Sequence, residues 1–217
     1  MKPRSLLTML GKVLVLALVL FFAIFSVPDI GATVQEPYTR GAHRGSSVQF
    51  VENTLDAFIR AANEDQYHFI EFDLQYTKDK KIIVFHDETL LRFQKQLFKV
   101  SDLTYEELSA LSRYPIPLYE EVIAAVGGKK KLNIEIKSRG NLDEDKKMID
   151  GVVEDLRSRN ILSDVLFSSI SEEVVKYIKE SYPQIKVGQI FFITPVTYFG
   201  SQTLTERFYA SVSPGAD

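Results

Sequence analysis

Carboxylates on the polar faces of predicted strands are the side chains best suited to chemistry. The segment Phe69–Gln75 alternates between apolar and polar residues, as a strand with one buried face does, and its polar face carries Glu71 and Asp73. The segment Lys131–Ser138 repeats this pattern, with Glu135 on its polar face. Because one such strand could simply face water, it is the repetition that suggests a shared polar cavity.

Two of the three histidines stand at the ends of predicted strands, on either side of the carboxylate pair in the sequence. His43 ends the first strand, and His86 ends the strand Ile82–His86. Imidazoles exchange protons near neutral pH, so such a pair suits the roles of general base and general acid. Arg44 and Lys137 supply the positive charge that an anionic substrate needs, and arginine can bind phosphate through two hydrogen bonds.

Three carboxylates gathered in one cavity repel one another, and a divalent cation relieves this repulsion. The predicted ligands are Glu71, Asp73 and Glu135, which offer oxygen atoms alone. Oxygen ligands favour a hard cation, either Ca²⁺ or Mg²⁺, over Zn²⁺, and the choice between these two stays open. A metal, two histidines and two cationic side chains together indicate metal-assisted hydrolysis of a phosphodiester.

Predicted strands and helices alternate along the chain, without repeats or low-complexity segments. Seven strands are expected near residues 40, 70, 83, 134, 167, 188 and 210, which indicates parallel strands covered by helices. This order is typical of an α/β TIM barrel, here with about one strand too few. An open doubly wound sheet is the alternative, disfavoured because no glycine-rich phosphate loop follows the first strand. In a barrel, the site residues would meet at the carboxyl ends of the strands.

Polar residues mark where several predicted helices begin. Asn53 is expected to cap the helix after the first strand, and Ser171 the helix after the strand Val165–Ile170. Thr104 and Glu107 have the spacing of a capping box. The charged segment 77–81 predicts a tight turn between two strands.

Composition excludes several classes of function. The chain of 217 residues has a net charge of −3, with 26 basic against 29 acidic residues. Without a surplus of basic residues, it is not expected to bind nucleic acid. It contains no cysteine, so it forms no disulfide and offers no thiolate to a metal or a substrate. The oligomeric state stays open.

Residues 1–35 are expected to form a signal anchor and linker, and residues 36–217 a folded domain. Lys2, Arg4 and Lys12 are the only charged residues before the uncharged run Val13–Val27. Basic residues followed by such a run predict a transmembrane or signal helix that places the domain outside the cytoplasm. A single-pass membrane anchor is favoured over a cleaved signal peptide and a secreted domain, because the small residues of a good cleavage site are lacking.

At the candidate site residues, the sequence resembles the glycerophosphodiester phosphodiesterase family. The resemblance extends from Gly41 to the carboxyl end and is densest before Arg92. The motifs that carry it are, in chain order, His43-Arg44-Gly45, Glu52-Asn53-Thr54, Ile70-Glu71-Phe72-Asp73, His86-Asp87 and Leu132-Asn133-Ile134-Glu135-Ile136-Lys137.

The resemblance implies a TIM barrel of the phosphatidylinositol-phosphodiesterase-like type and hydrolysis of glycerophosphodiesters to sn-glycerol 3-phosphate and an alcohol, as part of lipid and glycerol metabolism. It implies metal binding by the three carboxylates and acid–base catalysis by the two histidines, with His86 protonating the leaving alkoxide. Arg44 and Lys137 would contact the substrate phosphate. Glu52 would support these residues from outside the metal site.

Relative to this family, the chain is expected to be truncated at its carboxyl end. It contains no tryptophan and stops before a final strand with a Trp-Thr-Val-Asn-like motif. Two other functions stay open beside hydrolysis of a small glycerophosphodiester. One is a membrane-anchored binding module that keeps the metal pocket without catalysis, and the other is a phospholipase that acts on intact lipids.

Overall fold

The structure, a computed structural model, describes residues 40–191 of the chain. The expected amino-terminal helix within residues 1–35 lies outside the described residues, and so does the short strand expected at Tyr209–Val212. Across residues 40–191, no helix combines the length and the apolar character that crossing a membrane requires.

Six strands and six α-helices make up the described part of the chain. The strands are β1 (Gly41–His43), β2 (Phe69–Tyr76), β3 (Ile82–Val84), β4 (Lys131–Ile136), β5 (Val165–Ser169) and β6 (Lys186–Gln189). The helices are α1 (Leu55–Ala62), α2 (Leu91–Gln94), α3 (Tyr105–Leu111), α4 (Tyr119–Val126), α5 (Leu142–Ser158) and α6 (Glu172–Ser181).

Five of these strands form a parallel sheet in the order β1-β2-β4-β5-β6. Helices connect successive parallel strands, as the alternation in the sequence predicted. The order follows the chain without reversal, as in a barrel wall, whereas a doubly wound sheet reverses direction at a switch point.

The predicted strand at Ile82–His86 is not a parallel barrel strand. It ends earlier, as β3 at Val84, and it pairs antiparallel with the carboxyl end of β2. The reason lies in the connection: parallel strands need a crossover of a dozen or more residues, whereas the turn at 77–81 permits only a hairpin. The Thr77 amide donates to the carbonyl of Lys81 at 3.0 Å and closes this turn. The count of parallel strands was therefore one too high within the described residues.

The core lies between the apolar faces of the strands and the helices that cover them. Phe58 of α1 meets Phe72 of β2 edge to face, with 5.7 Å between ring centroids, and both side chains are fully buried. A smaller apolar cluster lies beneath the hairpin and the segments that follow it, and it includes Ile83, Leu90 and Leu108. Where the apolar side chains of a strand face the helices, the opposite face of that strand is left for polar side chains.

The first helix begins one residue later than expected. Thr54, and not Asn53, caps α1, and its hydroxyl accepts a hydrogen bond from the Ala57 amide at 3.4 Å. Asn53 instead adopts a left-handed conformation with φ of 54°, which turns its side chain toward the sheet. The capping box of Thr104 is confirmed, and so is the cap at Ser171.

Gly45 is where the chain after β1 passes closest to α1. Its φ is +82°, and a Cβ there would lie 2.8 Å from the carbonyl carbon of Ala57. Gly140 has a similar φ of +80° but open space around the same position. The two glycines thus share the backbone constraint, and Gly45 alone adds a steric one.

We expect Gly140→Ala to lower the free energy of unfolding by about 1–2 kcal/mol, the usual cost of a left-handed conformation with a Cβ. Gly45→Ala should lower the free energy of unfolding by roughly 1–3 kcal/mol more than Gly140→Ala does, because the new methyl group overpacks against α1. Urea unfolding followed by circular dichroism measures both changes. Equal losses in the two variants would show that close packing against Ala57 is unimportant.

Candidate active site

The polar faces of β1, β2 and β4 meet at the carboxyl ends of the strands. The strand register places His43 beside Glu71, and Asp73 beside Glu135. Neighbouring residues in register point to the same face of a sheet, so these side chains converge. One ligand oxygen from each of the three carboxylates lies within 4.8 Å of the others. The predicted carboxylate cluster is therefore present.

The three carboxylates are buried, which makes their ionisation costly. Asp73 is 0% exposed, and Glu71 and Glu135 are almost as inaccessible. Burial, together with the charge of Asp73, raises the pKa of Glu71 to about 8. Burial also raises the pKa of Glu135, against the opposing hydrogen bond from Lys137. In the metal-free protein this cluster therefore carries less than its full negative charge near neutral pH.

Lys137 and Arg44 supply the positive charge around this cluster. The Lys137 Nζ lies 2.6 Å from Oε1 of Glu135 and 3.1 Å from Oδ1 of Asp73. The Arg44 amide donates to Oε2 of Glu71 at 2.8 Å, and its guanidinium Nε lies 3.5 Å from Oδ2 of Asp73. Both predicted phosphate-binding cations thus lie at the carboxylates in this structure.

A buried amide oxygen at the cluster remains available to a cation. Within residues 40–191, Oδ1 of Asn53 is a buried oxygen without a hydrogen bond, whereas Oδ1 of Asp73 lies 3.1 Å from the ammonium group of Lys137. Asn53 also donates to Oδ2 of Asp73 at 2.8 Å, so it reaches the cluster directly. Carboxylate and amide oxygens are the ligands that hard divalent cations prefer, and the residues present therefore fit such an ion. The sequence predicts Asn53 as a helix cap and does not predict this contact with the carboxylate cluster.

His43 lies at the open edge of the cluster. Its side chain is 69% exposed, and its Nε2 is 3.8 Å from Oε2 of Glu71. Partial burial lowers the pKa of His43, and the positive charge of Arg44 lowers it further. The neutral imidazole, which can accept a proton, is thereby favoured near neutral pH.

His86 lies just beyond the hairpin strand β3 and is held by its neighbour. Its Nδ1 is 2.7 Å from Oδ1 of Asp87. Burial opposes ionisation of Asp87, but hydrogen bonds from Arg92 and His86 outweigh it and lower the pKa of this carboxyl. Because an ionised carboxylate can only accept, the His86 Nδ1 carries the shared hydrogen and Nε2 is left for proton transfer.

Glu52 joins the segments that carry the two histidines. It accepts hydrogen bonds from Arg44 at 2.7 Å and from Arg92 at 2.9 Å, and Arg92 in turn donates to Asp87 at 2.6 Å. Burial acts to raise the pKa of Glu52, but the hydrogen bonds from the two arginines lower it overall. Glu52 thus supports the site from outside the carboxylate cluster, at the centre of a chain of charged contacts. Asp87 belongs to the His86-Asp87 motif, but the sequence did not predict that it pairs with His86 or that Arg92 pairs with Glu52.

Gln75 fixes the backbone on both sides of His86. This fully buried side chain follows Asp73 on the polar face of β2, and its Nε2 donates to the carbonyls of Phe85 at 2.6 Å and Asp87 at 3.0 Å. Its Oε1 accepts two hydrogen bonds from Arg139, at 2.7 and 3.1 Å. The alternation in β2 placed Gln75 on the polar face, yet nothing in the sequence indicated which carbonyls it would bind.

The solved structures that resemble this chain indicate an α/β fold of the TIM-barrel type. A glycerophosphodiester phosphodiesterase from Thermotoga maritima is 32% identical, with a TM-score of 0.61 over 80% of this chain and 73% of that protein. A phosphodiesterase from Oleispira antarctica, solved in complex with the product sn-glycerol-3-phosphate, is 25% identical, with a TM-score of 0.63 over 78% of this chain and 70% of that protein.

The sequence defines the family more narrowly than the fold does. The model of the glycerophosphoryl diester phosphodiesterase family matches residues 43–215, and the chain belongs to this family. A glycerophosphodiester phosphodiesterase from Caldanaerobacter subterraneus subsp. tengcongensis is 35% identical over 161 residues, which are 69% of this chain and 65% of that relative. The chain spans just under two thirds of the length of this and similar curated relatives.

The raised pKa of Glu71 predicts how the stability of the metal-free protein depends on pH. Folded Glu71 keeps its proton to about pH 8, whereas the ordinary value is 4.5. The folded state therefore binds more protons between these two values, and the free energy of unfolding should fall as the pH rises from 4.5 toward 8. Chemical unfolding in the presence of a chelator, at several pH values, measures this slope.

A divalent cation should reverse this trend, because it binds the ionised carboxylates and competes with the proton. Stabilisation by Ca²⁺ or Mg²⁺ should therefore grow over the same pH range. Glu71→Gln serves as the control, since it should flatten the metal-free profile. A metal-free stability that stays constant with pH in the unsubstituted protein would contradict the assignment.

Gln75→Glu should misplace His86, because the carboxylate retains acceptors for Arg139 but loses both donors to the carbonyls of Phe85 and Asp87. If this site turns over a glycerophosphodiester, kcat should fall roughly 10- to 100-fold with little change in KM. Arg139→Gln leaves both donated bonds in place and should lower kcat much less. A folded Gln75→Glu protein with unchanged kcat would exclude this positioning role.

Proposed function

We propose that this chain hydrolyses glycerophosphodiesters to glycerol 3-phosphate and an alcohol. The proposal rests on one observation above the others: two histidines flank a buried cluster of three carboxylates at the carboxyl ends of parallel strands. The membership in the glycerophosphoryl diester phosphodiesterase family supports it, and so does the similarity to a phosphodiesterase solved with sn-glycerol-3-phosphate.

Glu71, Asp73 and Glu135 would hold a divalent cation, either Ca²⁺ or Mg²⁺, with the amide oxygen of Asn53 close by. When bound, the cation supplies positive charge that stabilises negative charge on the phosphate oxygens. These carboxylates come from two adjacent strands, β2 and β4, whose register is fixed by backbone hydrogen bonds. The carboxylate cluster is thus part of the sheet itself and does not depend on the conformation of the loops.

His43 is assigned as the general base. Its lowered pKa favours the neutral ring, which can take the proton from the attacking oxygen. His86 is assigned as the general acid. For this role the ring must be the imidazolium, in which Nδ1–H is directed to Asp87 and Nε2 carries a second hydrogen. Nε2 delivers that proton to the alkoxide as the bond between phosphorus and the leaving oxygen breaks, and the ring is left neutral. Arg44 and Lys137, which both contact Asp73, would hold the phosphate between the two histidines.

The two histidine roles predict kinetic effects that differ from those of the third histidine. His43→Ala and His86→Ala should each lower kcat for glycerophosphocholine by about 10²–10⁴-fold, the usual contribution of a positioned acid or base. His68→Ala is the matched control, because this exposed ring contacts only the Arg40 amide, at 3.1 Å, among the hydrogen bonds of the described residues. Release of choline or glycerol 3-phosphate measures turnover in the presence of Ca²⁺ or Mg²⁺.

The same experiment separates catalysis from binding alone. A folded, metal-loaded chain that binds glycerol 3-phosphate but turns over no glycerophosphodiester would be a binding module, and the proposed activity would be excluded. Activity that survives His43→Ala and His86→Ala equally would overturn the acid–base assignment while leaving the substrate class in place.

A further inference from the structure

Exposed apolar side chains concentrate on the two loops that follow the candidate catalytic histidines. Of the nine large apolar side chains exposed within the described residues, six lie on these loops. We call this set the apolar rim: Val48, Phe50, Val51, Leu91, Leu97 and Phe98. Single exposed apolar residues are ordinary on protein surfaces, but a concentration at the mouth of a site marks a binding surface.

Hydrogen bonds hold the two halves of the rim side by side. Glu52 and Arg92 are paired across the loops, and each stands next to a rim residue, Val51 and Leu91 respectively. The Leu90 amide donates to the carbonyl of Phe98 at 3.0 Å, which folds the second half of the rim back on itself. The rim is therefore a surface fixed by the same contacts that hold the site.

The most exposed members of the rim point away from the protein core. Val48 is 92% exposed, Leu97 79% and Phe98 52%. Neither of the two apolar core clusters contains any of these three side chains. Leaving three such groups in water has no benefit for folding, since burial of apolar surface is the main favourable term. They are available to an external apolar ligand.

The charges on these loops suit a lipid surface. Residues 44–53 and 87–99 together carry four basic and three acidic residues, a sum of +1 in a chain whose net charge is −3. The acidic side chains are all paired, Glu52 and Asp87 with arginines and Glu88 with Lys99 at 3.0 Å. No unpaired carboxylate on these two described segments would repel an anionic headgroup.

We propose that the apolar rim docks the mouth of the site onto the surface of glycerophospholipid assemblies. This inference rests on the proposed function, because the ligands that combine a glycerophosphodiester with apolar chains are glycerophospholipids. The rim would insert its apolar side chains among the lipid chains, while the headgroup region faces the two histidines. The substrates favoured by this surface are then glycerophosphodiesters presented at a lipid interface, such as single-chain phospholipids in micelles.

A tryptophan placed in the rim tests the docking on vesicles of equal parts phosphatidylcholine and phosphatidylglycerol. The full chain contains no other tryptophan, and the local readout is independent of vesicle binding by the predicted helix within residues 1–35. We expect the side chain introduced by Leu97→Trp to be shielded from a water-soluble quencher when vesicles are added, and Val48→Ser in the same chain to weaken this shielding several-fold. The matched control is Leu166→Trp, at an exposed apolar position outside the rim, where the new side chain should stay accessible to the quencher. Binding should persist in 0.5 M NaCl, since apolar insertion is not screened by salt.

Turnover assays distinguish the docking from the proposed function. The rim variant, Val48→Ser combined with Leu97→Ser, should hydrolyse soluble glycerophosphocholine as fast as the unsubstituted chain, yet act several-fold more slowly on lysophosphatidylcholine micelles. Shielding at position 97 by vesicles without hydrolysis of either substrate would reject the proposed function and leave the docking intact.

Three results would overturn the docking. They are a tryptophan at position 97 that stays accessible to the quencher, equal shielding of the control tryptophan at position 166, and shielding that disappears in salt. Sedimentation adds a fourth: a dimer that the rim variant converts to a monomer would assign the rim to contact between copies of this chain.

Discussion

Burial of three carboxylates side by side in one sheet is the constraint on which the rest of this structure depends. The register of β2 and β4 places Asp73 beside Glu135, and neither can turn to solvent. Their mutual repulsion must be offset, and it is offset by Lys137, by Arg44 and by the proton that Glu71 retains. A divalent cation would replace that proton, so metal binding, protonation and fold stability are linked in the same small volume.

A chain of charged contacts extends this site outward to both histidines. Arg44 begins it at Asp73, Glu52 and Arg92 continue it, and Asp87 ends it at His86. The same contacts order the loops that carry the apolar rim, so a lipid surface bound at the rim would be held at a fixed distance from the histidines. The proposed catalysis and the proposed docking would therefore depend on the same set of contacts.

Much of the fold follows from local patterns in the sequence. Alternation located the strands β2, β4 and β5 within about one or two residues, and the cap at Ser171 and the capping box at Thr104 form as predicted. Two predictions were wrong, the parallel pairing of the strand at Ile82–His86 and the helix cap at Asn53. Both depend on geometry that strand and cap propensities do not encode. The hairpin made β3 antiparallel, since its turn is too short for a crossover. The left-handed backbone at Asn53 moved the cap to Thr54 and sent the amide of Asn53 to Asp73.

The kinds of chemical groups at the site and the faces they occupy follow from the amino-acid sequence, because the period of a strand separates polar from apolar side chains. The sequence also carried the motifs that identify the family. The partners of these groups follow from the folded structure: which carbonyls Gln75 binds, that Glu52 bridges Arg44 and Arg92, and that this bridge joins two loops with exposed apolar residues. These are contacts between residues distant in the chain, and they depend on strand register and loop path, which no local pattern specifies.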